Sequence, residues 1–454
     1  MPEDILSAPW VQSQSGRAVM KITLTSGMMR ETADIPDENF TGTLQPLVPS
    51  PPIGKESDLL ARSLSEPIES PGLEAFISTR SKVSIVVDDL TRPTPTKAIL
   101  PFLLKTLLHF GIKEEHIKIT VGNGLHDLHT KQELESIVGD SVLKRFDVSN
   151  SDAHDQMGFA YLGTTRNGTP LYVNKRVTES DLVVTVGTIK PHSFAGFTGG
   201  AKSILPGVSG GDTILRNHCY DCIDYPKGIV GEPDMSYARA DMEDAITKIP
   251  VPVFIVNVVI DKERRILGTF AGDPVIAHRK GVEFFRAISE VTVDEQADVV
   301  FIEGNYPASE SLYFTLSMLA GVMTTRKPIV KKGGMVVVVA QCKNGVDSDI
   351  IDMLFSTFSS PKVILEHLKE SPVVEGQWAA QHLAWYLNEY EIGIVSQGIS
   401  MDKAKQLNMR YFKNLQGAVN YALAHYGRDK RILVVKHTDN FIANARENNF
   451  NNIV

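Results

Sequence analysis

The sequence predicts an α/β protein built as two α/β domains with largely parallel sheets and a cleft between them. Three observations predict it. Short β-branched apolar runs alternate with longer helical patterns along most of the chain, the signature of βαβ units. The alternation pauses near 290–297 and restarts at Asp298–Glu303 (DVVFIE). At 454 residues, the chain exceeds what one compact core organises. The domains are therefore expected at 1–292 and 293–436, with the tail 437–454 returning to pack on the first.

In order, Val19–Leu24 reads as an initial strand, 46–55 as a proline-rich connection and Ser57–Ser65 as a helix. Lys82–Asp88 (KVSIVVD) is a buried strand by its β-branched content, followed by a helix over Thr96–Phe110. Ile117–Val121 and Leu182–Val186 are further strands. Helices are expected at Asp212–Cys222, Met235–Lys248 and Val275–Ser289, with paired strands at Val251–Ile260 and Arg265–Phe270. The second series has strands at Asp298–Glu303, Met335–Ala340, Ile392–Ser396 and Arg431–Val435. Its helices are Leu312–Thr324, Gln377–Asn388 and Leu415–Ala424.

Composition excludes several classes. Lys and Arg number 46 against 54 Asp and Glu, a net charge of −8, which argues against nucleic acid as the main partner. Three cysteines exclude a disulfide framework and favour a reducing compartment. Met1–Trp10 lacks a basic-then-apolar signal pattern, and the longest apolar run, Val251–Ile260, is far short of a membrane span. A cytoplasmic protein with no membrane partner is expected.

Three strands end in polar loops punctuated by glycine or proline: Asp88-Asp-Leu-Thr-Arg-Pro-Thr-Pro95, Gly122-Asn-Gly-Leu-His126 and Lys190–Gly207 (KPHSFAGFTGGAKSILPG). In a parallel sheet all three gather at the carboxyl edge, where α/β proteins bind ligands. The third loop holds four glycines and two prolines. Its Gly196–Ser203 segment nearly spells a phosphate loop, but Ala201 replaces the second glycine. Pro206-Gly207 would also break the helix that must follow the lysine. Backbone N–H groups of Gly199 and Gly200 could still hold a phosphate of another ligand. His126, His192 and His218 each lie beside glycine or at a helix start, where acid/base and metal-binding roles compete with structural ones. Arg92 suits a carboxylate or phosphate; the competing reading is a structural pair with Asp89. The lone C-x-x-C at Cys219–Cys222 lacks a second pair, so its thiols read as helix-face residues.

Together these loops resemble the lactate racemase family that uses a nickel-pincer nucleotide. The resemblance rests on DDLTRPTP at 88–95, GNGLH at 122–126, the motif at 190–207 and NH at 217–218, with NYP at 305–307, Tyr313 and GQW at 376–378. It covers the chain from about Pro51 to Val435. It implies a cofactor derived from nicotinic acid mononucleotide, pyridinium-3,5-bisthiocarboxylic acid mononucleotide, holding nickel (Ni) between its sulfur groups. By family position, Lys202 anchors that cofactor and His218 ligates the nickel. Asp89, Leu90, Thr91, Arg92, Thr198, Gly199 and Gly200 are the expected cofactor contacts. The implied activity is racemisation or epimerisation of a small-molecule 2-hydroxy acid by hydride transfer, with His126 and His192 as the two bases and Arg92 on the substrate carboxylate. Tyr313, Phe314, Ser317 and Trp378 are expected to line the substrate side. Partner proteins for cofactor biosynthesis are also implied.

The pattern departs in the second domain. The family has a glutamine after the tyrosine and, three residues later, a lysine; here Phe314 and Ser317 stand there. Loss of an amide and a cation points to a substrate larger than lactate. Two rivals remain at this stage. One is a hydride-transfer oxidoreductase with the same cofactor, separated by following the label and chirality at C2. The other is a non-catalytic protein binding a nucleotide or phosphorylated metabolite, which would lose nothing on replacement of His126 and His192.

Overall fold

The computed structural model describes residues 11–12, 18–46, 55–224, 226–306, 308–427, 429–436 and 441–446. The connection expected at 46–55 therefore lies largely outside the described residues, as does Pro307 of the 305–307 motif. The chain divides into two compact units, 47–289 with 373–375, and 1–46 with 290–372 and 376–454.

The unit at 47–289 is built on a six-stranded sheet. Across the sheet the strands run Ile266–Gly272, Val253–Ile260, Leu182–Thr188, Val83–Asp88, Ile117–Gly122 and Asp147–Asn150. All neighbours pair in parallel except the Ile266–Gly272 edge strand, which is antiparallel to Val253–Ile260. The three central strands are the ones expected to deliver the polar loops. Leu182–Thr188 is buried throughout, as a strand covered on both faces must be. One core cluster joins Ile85, Val87, Ile119, Val184 and Val256 to Leu100, Leu103 and Leu107 of the Thr96–His109 helix. The chain order reverses between Val83–Asp88 and Leu182–Thr188, and ligands of open α/β sheets bind outside such a switch point.

One expectation holds here and one is corrected. No α-helix follows Lys202: Gly200–Ser203 is a single 3-10 turn, and the next α-helix starts at Gly211. The phosphate-loop reading fails on this point. The helix expected over Asp212–Cys222 splits into Gly211–Asn217 and Tyr220–Ile223. Asn217 ends the first piece because its Nδ2 donates to the Ala238 carbonyl and to Asp241 Oδ2, both at 3.1 Å.

The other unit also holds a six-stranded sheet, in the order Arg410–Phe412, Glu391–Val395, Val330–Val339, Ala297–Glu303, Ile432–Val435 and Phe40–Leu44, all parallel. Residues 18–46, expected in the first domain, belong here. Phe40–Leu44 covers the edge left by Ile432–Val435. The Ala18–Ser26/Met29–Pro36 hairpin buries Leu24 and Ile35 against Phe301 and Val337. The tail is corrected as well. Ile442–Ala445 pairs in parallel with Glu290–Val293 of this same unit, not with the 47–289 unit. Among the described residues no helix is long and apolar enough to cross a membrane.

Candidate active site

Each strand of the central trio ends by handing over a polar residue. Val83–Asp88 delivers Asp88 and Asp89. Asp88 Oδ2 accepts from Thr94 Oγ1 at 2.6 Å and from the Thr188 N–H at 3.1 Å, tying two strand ends together. Burial pushes its carboxyl above the ordinary value, against the pull of Thr94, Arg92 and Thr188.

Ile117–Gly122 delivers His126. Its Nδ1 lies 2.6 Å from Asp89 Oδ2, and Asp89 Oδ1 accepts from Thr91 Oγ1 at 2.6 Å. Burial raises Asp89, but the hydrogen bond and charge of His126, then Arg92 and Thr91, bring it down to about 2. An ionised Asp89 therefore holds a proton on His126 Nδ1 and leaves the Nε2 lone pair free. The His126 side chain is 42% exposed, so the ring is not sealed in the core. The Asp89–Arg92 pair weighed from sequence does not form, because Asp89 is taken by His126. Among the described residues the Arg92 guanidinium has no hydrogen bond or ion pair. Its charge still acts on Asp88, Asp89, His192 and Lys202.

Leu182–Thr188 delivers the glycine-rich loop. His192 Nδ1 accepts from the backbone N–H groups of Ala195 at 3.3 Å and Phe194 at 3.5 Å, so the neutral ring carries its proton on Nε2. Phe194 packs edge-on to both His192 and His218, at 4.6 and 4.9 Å between centroids. Burial, followed by the charge of Lys202, holds His192 well below the ordinary histidine value. The same two causes, with His126, bring His218 down to about 3. Lys202 is only 9% exposed. Burial, then Arg92 and Arg239, keep its amine well below the ordinary lysine range, against Asp88 and Asp89. No hydrogen bond or ion pair reaches that amine among the described residues. These mutual influences place His126, His192, Lys202, His218 and Arg92 in one electrostatic neighbourhood.

The remaining contacts expected of the loop are differently used. Thr198 Oγ1 donates to the Thr188 carbonyl. The Gly200 N–H, expected to face a phosphate, donates to Asn257 Oδ1 at 2.7 Å instead. Gly199 and Gly200 adopt φ of 77° and 58°, and a Cβ on Gly200 would lie 2.9 Å from the His278 ring, so glycine is required there for packing. Leu90 is 44% exposed beside this edge, and its N–H points to His129 Nε2 at 3.4 Å.

Sequence reasoning missed the residues behind the loop. Arg239 is fully buried; its guanidinium donates to the carbonyls of Ala195 at 3.2 Å and Gly199 at 3.0 Å, and to that of Phe197. His278 Nε2 lies 2.9 Å from the Thr198 carbonyl. One signal was available: Asn257 interrupts an otherwise apolar strand, and a lone amide there needs a buried partner.

Tyr313, Phe314, Ser317 and Trp378 lie in the other unit. Trp378 Nε1 donates to Tyr313 Oη at 2.9 Å, and Tyr313 meets Phe314 and Trp378 edge-on. Phe314 is 40% exposed at the start of the Leu312–Met323 helix, and the Ser317 hydroxyl turns back to the Phe314 carbonyl.

Residues 27–229 match the lactate racemase N-terminal domain family, and residues 292–442 match the lactate racemase C-terminal domain family. The chain belongs to the lactate racemase family. A lactate racemase of Thermoanaerobacterium thermosaccharolyticum is 30% identical over 418 residues, 91% of this chain and 97% of that protein. A lactate racemase of Lactiplantibacillus plantarum is 29% identical, over 89% of this chain and 95% of that protein. The structure of the lactate racemase apoprotein from T. thermosaccharolyticum superposes with a TM-score of 0.86 at 29% identity, covering 94% of this chain and all of that one. A crystal structure of a Thermotoga maritima protein shares the fold, with a TM-score of 0.63 at 18% identity over 88% of this chain and all of that one. Membership of the lactate racemase family makes the chain an isomerase of the racemase type.

Proposed function

We propose that the protein racemises or epimerises a 2-hydroxy acid larger than lactate by proton-coupled hydride transfer, using a nickel-pincer nucleotide. One observation carries the reading. A carboxylate-oriented histidine, His126, shares its surroundings with a buried lysine amine that has no partner among the described residues.

The residues fit the implied cofactor. His218 Nδ1 is buried with no hydrogen-bond partner, so this imidazole is available to a metal. Burial and the neighbouring Arg92 and Arg239 hold the Lys202 amine well below the ordinary lysine range, which favours the nucleophilic form an attachment point requires. When bound, the group supplies a pyridinium carbon that accepts and returns the C2 hydride, so that the substrate passes through a planar 2-keto acid.

The chain's own residues supply the rest. Arg92, unpaired among the described residues, binds the substrate carboxylate through its planar fork. His126 Nε2 takes the hydroxyl proton, and the Asp89 carboxylate stabilises the imidazolium that results. His192 is the acid/base on the other side, and it returns a proton from Nε2 only as the imidazolium, since the neutral ring would be left as an imidazolate. Its Nδ1 contacts of 3.3 and 3.5 Å are long, and a second proton there requires the Ala195 and Phe194 N–H groups to turn away. Acylation of Lys202 would remove the positive charge that, after burial, weighs most against protonating His192. Anchoring the cofactor would thus also prepare the second base.

The larger substrate is supported by the exposed Phe314 ring, packed edge-on to Tyr313, and by the absence of a cation at Ser317. Such a surface matches an apolar substituent better than a charged one.

The test uses protein from a cofactor-producing host, with intact mass and nickel analysis establishing the Lys202 adduct. C2-deuterated 2-hydroxy acids of increasing size are then racemised in ordinary water. Deuterium retained at C2 supports hydride transfer. Complete exchange with solvent refutes it, and lactate outperforming every larger acid refutes the substrate proposal.

A further inference from the structure

We propose that Cys219 and Cys222 form a redox couple that cycles between dithiol and disulfide next to His218. The two sulfurs lie 2.9 Å apart, inside the roughly 3.5–4 Å of ordinary non-bonded contact. The backbone already holds them for bonding. The Cys222 N–H donates to the Cys219 carbonyl at 3.0 Å, and a turn of this kind keeps the two Cα atoms within the roughly 4.4–6.8 Å that a disulfide spans. The bond can therefore close without unfolding the Tyr220–Ile223 turn.

The two thiols are not equivalent. Arg216 Nη1 donates to Cys219 Sγ at 3.1 Å, which marks Cys219 as the sulfur already held by a cation. Among the described residues, Cys222 Sγ has a hydrogen-bond contact only with the Arg216 carbonyl, at 3.6 Å, besides its partner sulfur. Cys219 is thus the attacking thiol and Cys222 the resolving one. Their exposures of 6% and 3% admit a small oxidant rather than another protein. Hydroperoxide is the chemical class that fits.

The Cys219 thiolate attacks one peroxide oxygen, breaking the O–O bond, releasing hydroxide and leaving a sulfenic acid. Cys222 then attacks the sulfenic sulfur; the S–O bond breaks and the S–S bond forms. The displaced hydroxide takes the Cys222 proton as water. With hydrogen peroxide, two thiols lose two electrons and two protons, and the peroxide becomes two waters. An external thiol restores the dithiol by exchange. Closure changes the contact of Cys219 with Arg216 and pulls Cys222 from the Arg216 carbonyl, at the end of the helix that precedes His218.

The test needs no bound cofactor. Purified protein is treated with hydrogen peroxide, then alkylated and weighed intact. Of its three cysteines, only Cys342 should still alkylate, the unalkylated mass should fall by about two units, and dithiothreitol should restore both thiols. In Cys222→Ser, a dimedone adduct should appear on Cys219. Two results overturn the proposal: Cys219 and Cys222 both alkylating fully after treatment, or Cys219 passing to sulfinic or sulfonic acid while Cys222 stays free. Because the disulfide is sought in the unsubstituted chain, misfolding of a variant cannot produce either result.

Discussion

Asp89→Asn tests the pairing on which the site depends. The substitution keeps the size of the side chain and removes its charge. The Asp89–His126 contact is 2.6 Å and Asp89 is 5% exposed, so the bond removed is a charge-assisted one of about 1.5–3 kcal/mol. If that energy stabilises the imidazolium as the hydroxyl proton is taken, kcat should fall roughly 10- to 150-fold. An amide that turns its NH2 toward Nδ1 would fix the wrong tautomer and deepen the loss toward 10⁴ or so. Stability should move less. A carboxyl brought from its ordinary range to about 2 corresponds to about 2 kcal/mol at neutral pH. With the His126 side chain 42% exposed, solvent screening reduces this to about 1 kcal/mol. The folded value lies below the unfolded one, so this stabilisation is complete above the ordinary carboxylate range and is lost as pH falls toward 2. The assay is racemisation in both directions, normalised to Lys202 adduct by intact mass, with imidazole nitrogen NMR reporting the His126 tautomer. A kcat within about twofold of the parent at equal loading, with the tautomer unchanged, would refute the reasoning.

Three further outcomes are expected. Arg92→Lys keeps the charge but loses the planar fork, so KM for the 2-hydroxy acid should rise by about tenfold or more, measured by initial rates; an unchanged KM removes Arg92 from the carboxylate site. Lys202→Met removes a buried amine and should stabilise the cofactor-free protein by about 1 kcal/mol or more at pH 7 in urea melts. Because the folded value is depressed, the unfolded chain binds the extra proton, so parent stability rises with pH toward the ordinary lysine value and the gap should close there. Arg239→Met leaves three loop carbonyls without their donor, which should cost about 3–5 kcal/mol in denaturant midpoint; a cost under about 1 kcal/mol would show that the loop holds its shape without Arg239.

The central sheet of the 47–289 unit was legible because its strands are apolar runs broken by glycine and proline where the chain leaves the sheet. The placement of Phe40–Leu44 was not. Its partner in the sheet is Ile432–Val435, at the far end of the sequence, and FTGTL has no strong apolar run to announce it. The break at His218 was also hidden, since no glycine or proline marks it; a side chain, Asn217, ends the helix by bonding to Asp241. Histidine types and positions could be read, but not that Asp89 serves His126 rather than Arg92, because proximity across two strand ends is a property of the sheet register. Arg239 escaped for a different reason. Arginine is rarely fully buried, and only the folded loop supplies the carbonyls that make its burial tolerable.

These hidden contacts explain how so much positive charge is tolerated in one place. Arg92 and Arg239 raise the cost of charge on Lys202, and Lys202 and Arg239 are buried. Arg239 is stabilised by carbonyls on the inner side of the loop and by Glu243. Arg92 has neither, and Lys202 draws only on the more distant Asp88 and Asp89. The electrostatic cost thus falls on Lys202, with Arg92 among its causes. A covalent bond that neutralises the lysine and an anionic substrate that pairs the arginine would relieve it together. On this argument cofactor attachment and substrate binding are coupled. A Lys202 adduct should weaken Arg92's influence on the histidines less than it weakens the lysine's own. Carboxylate binding to the loaded protein should therefore shift the His192 ring resonances more than the same ligand does in Arg92→Lys, and equal shifts in the two would break the coupling.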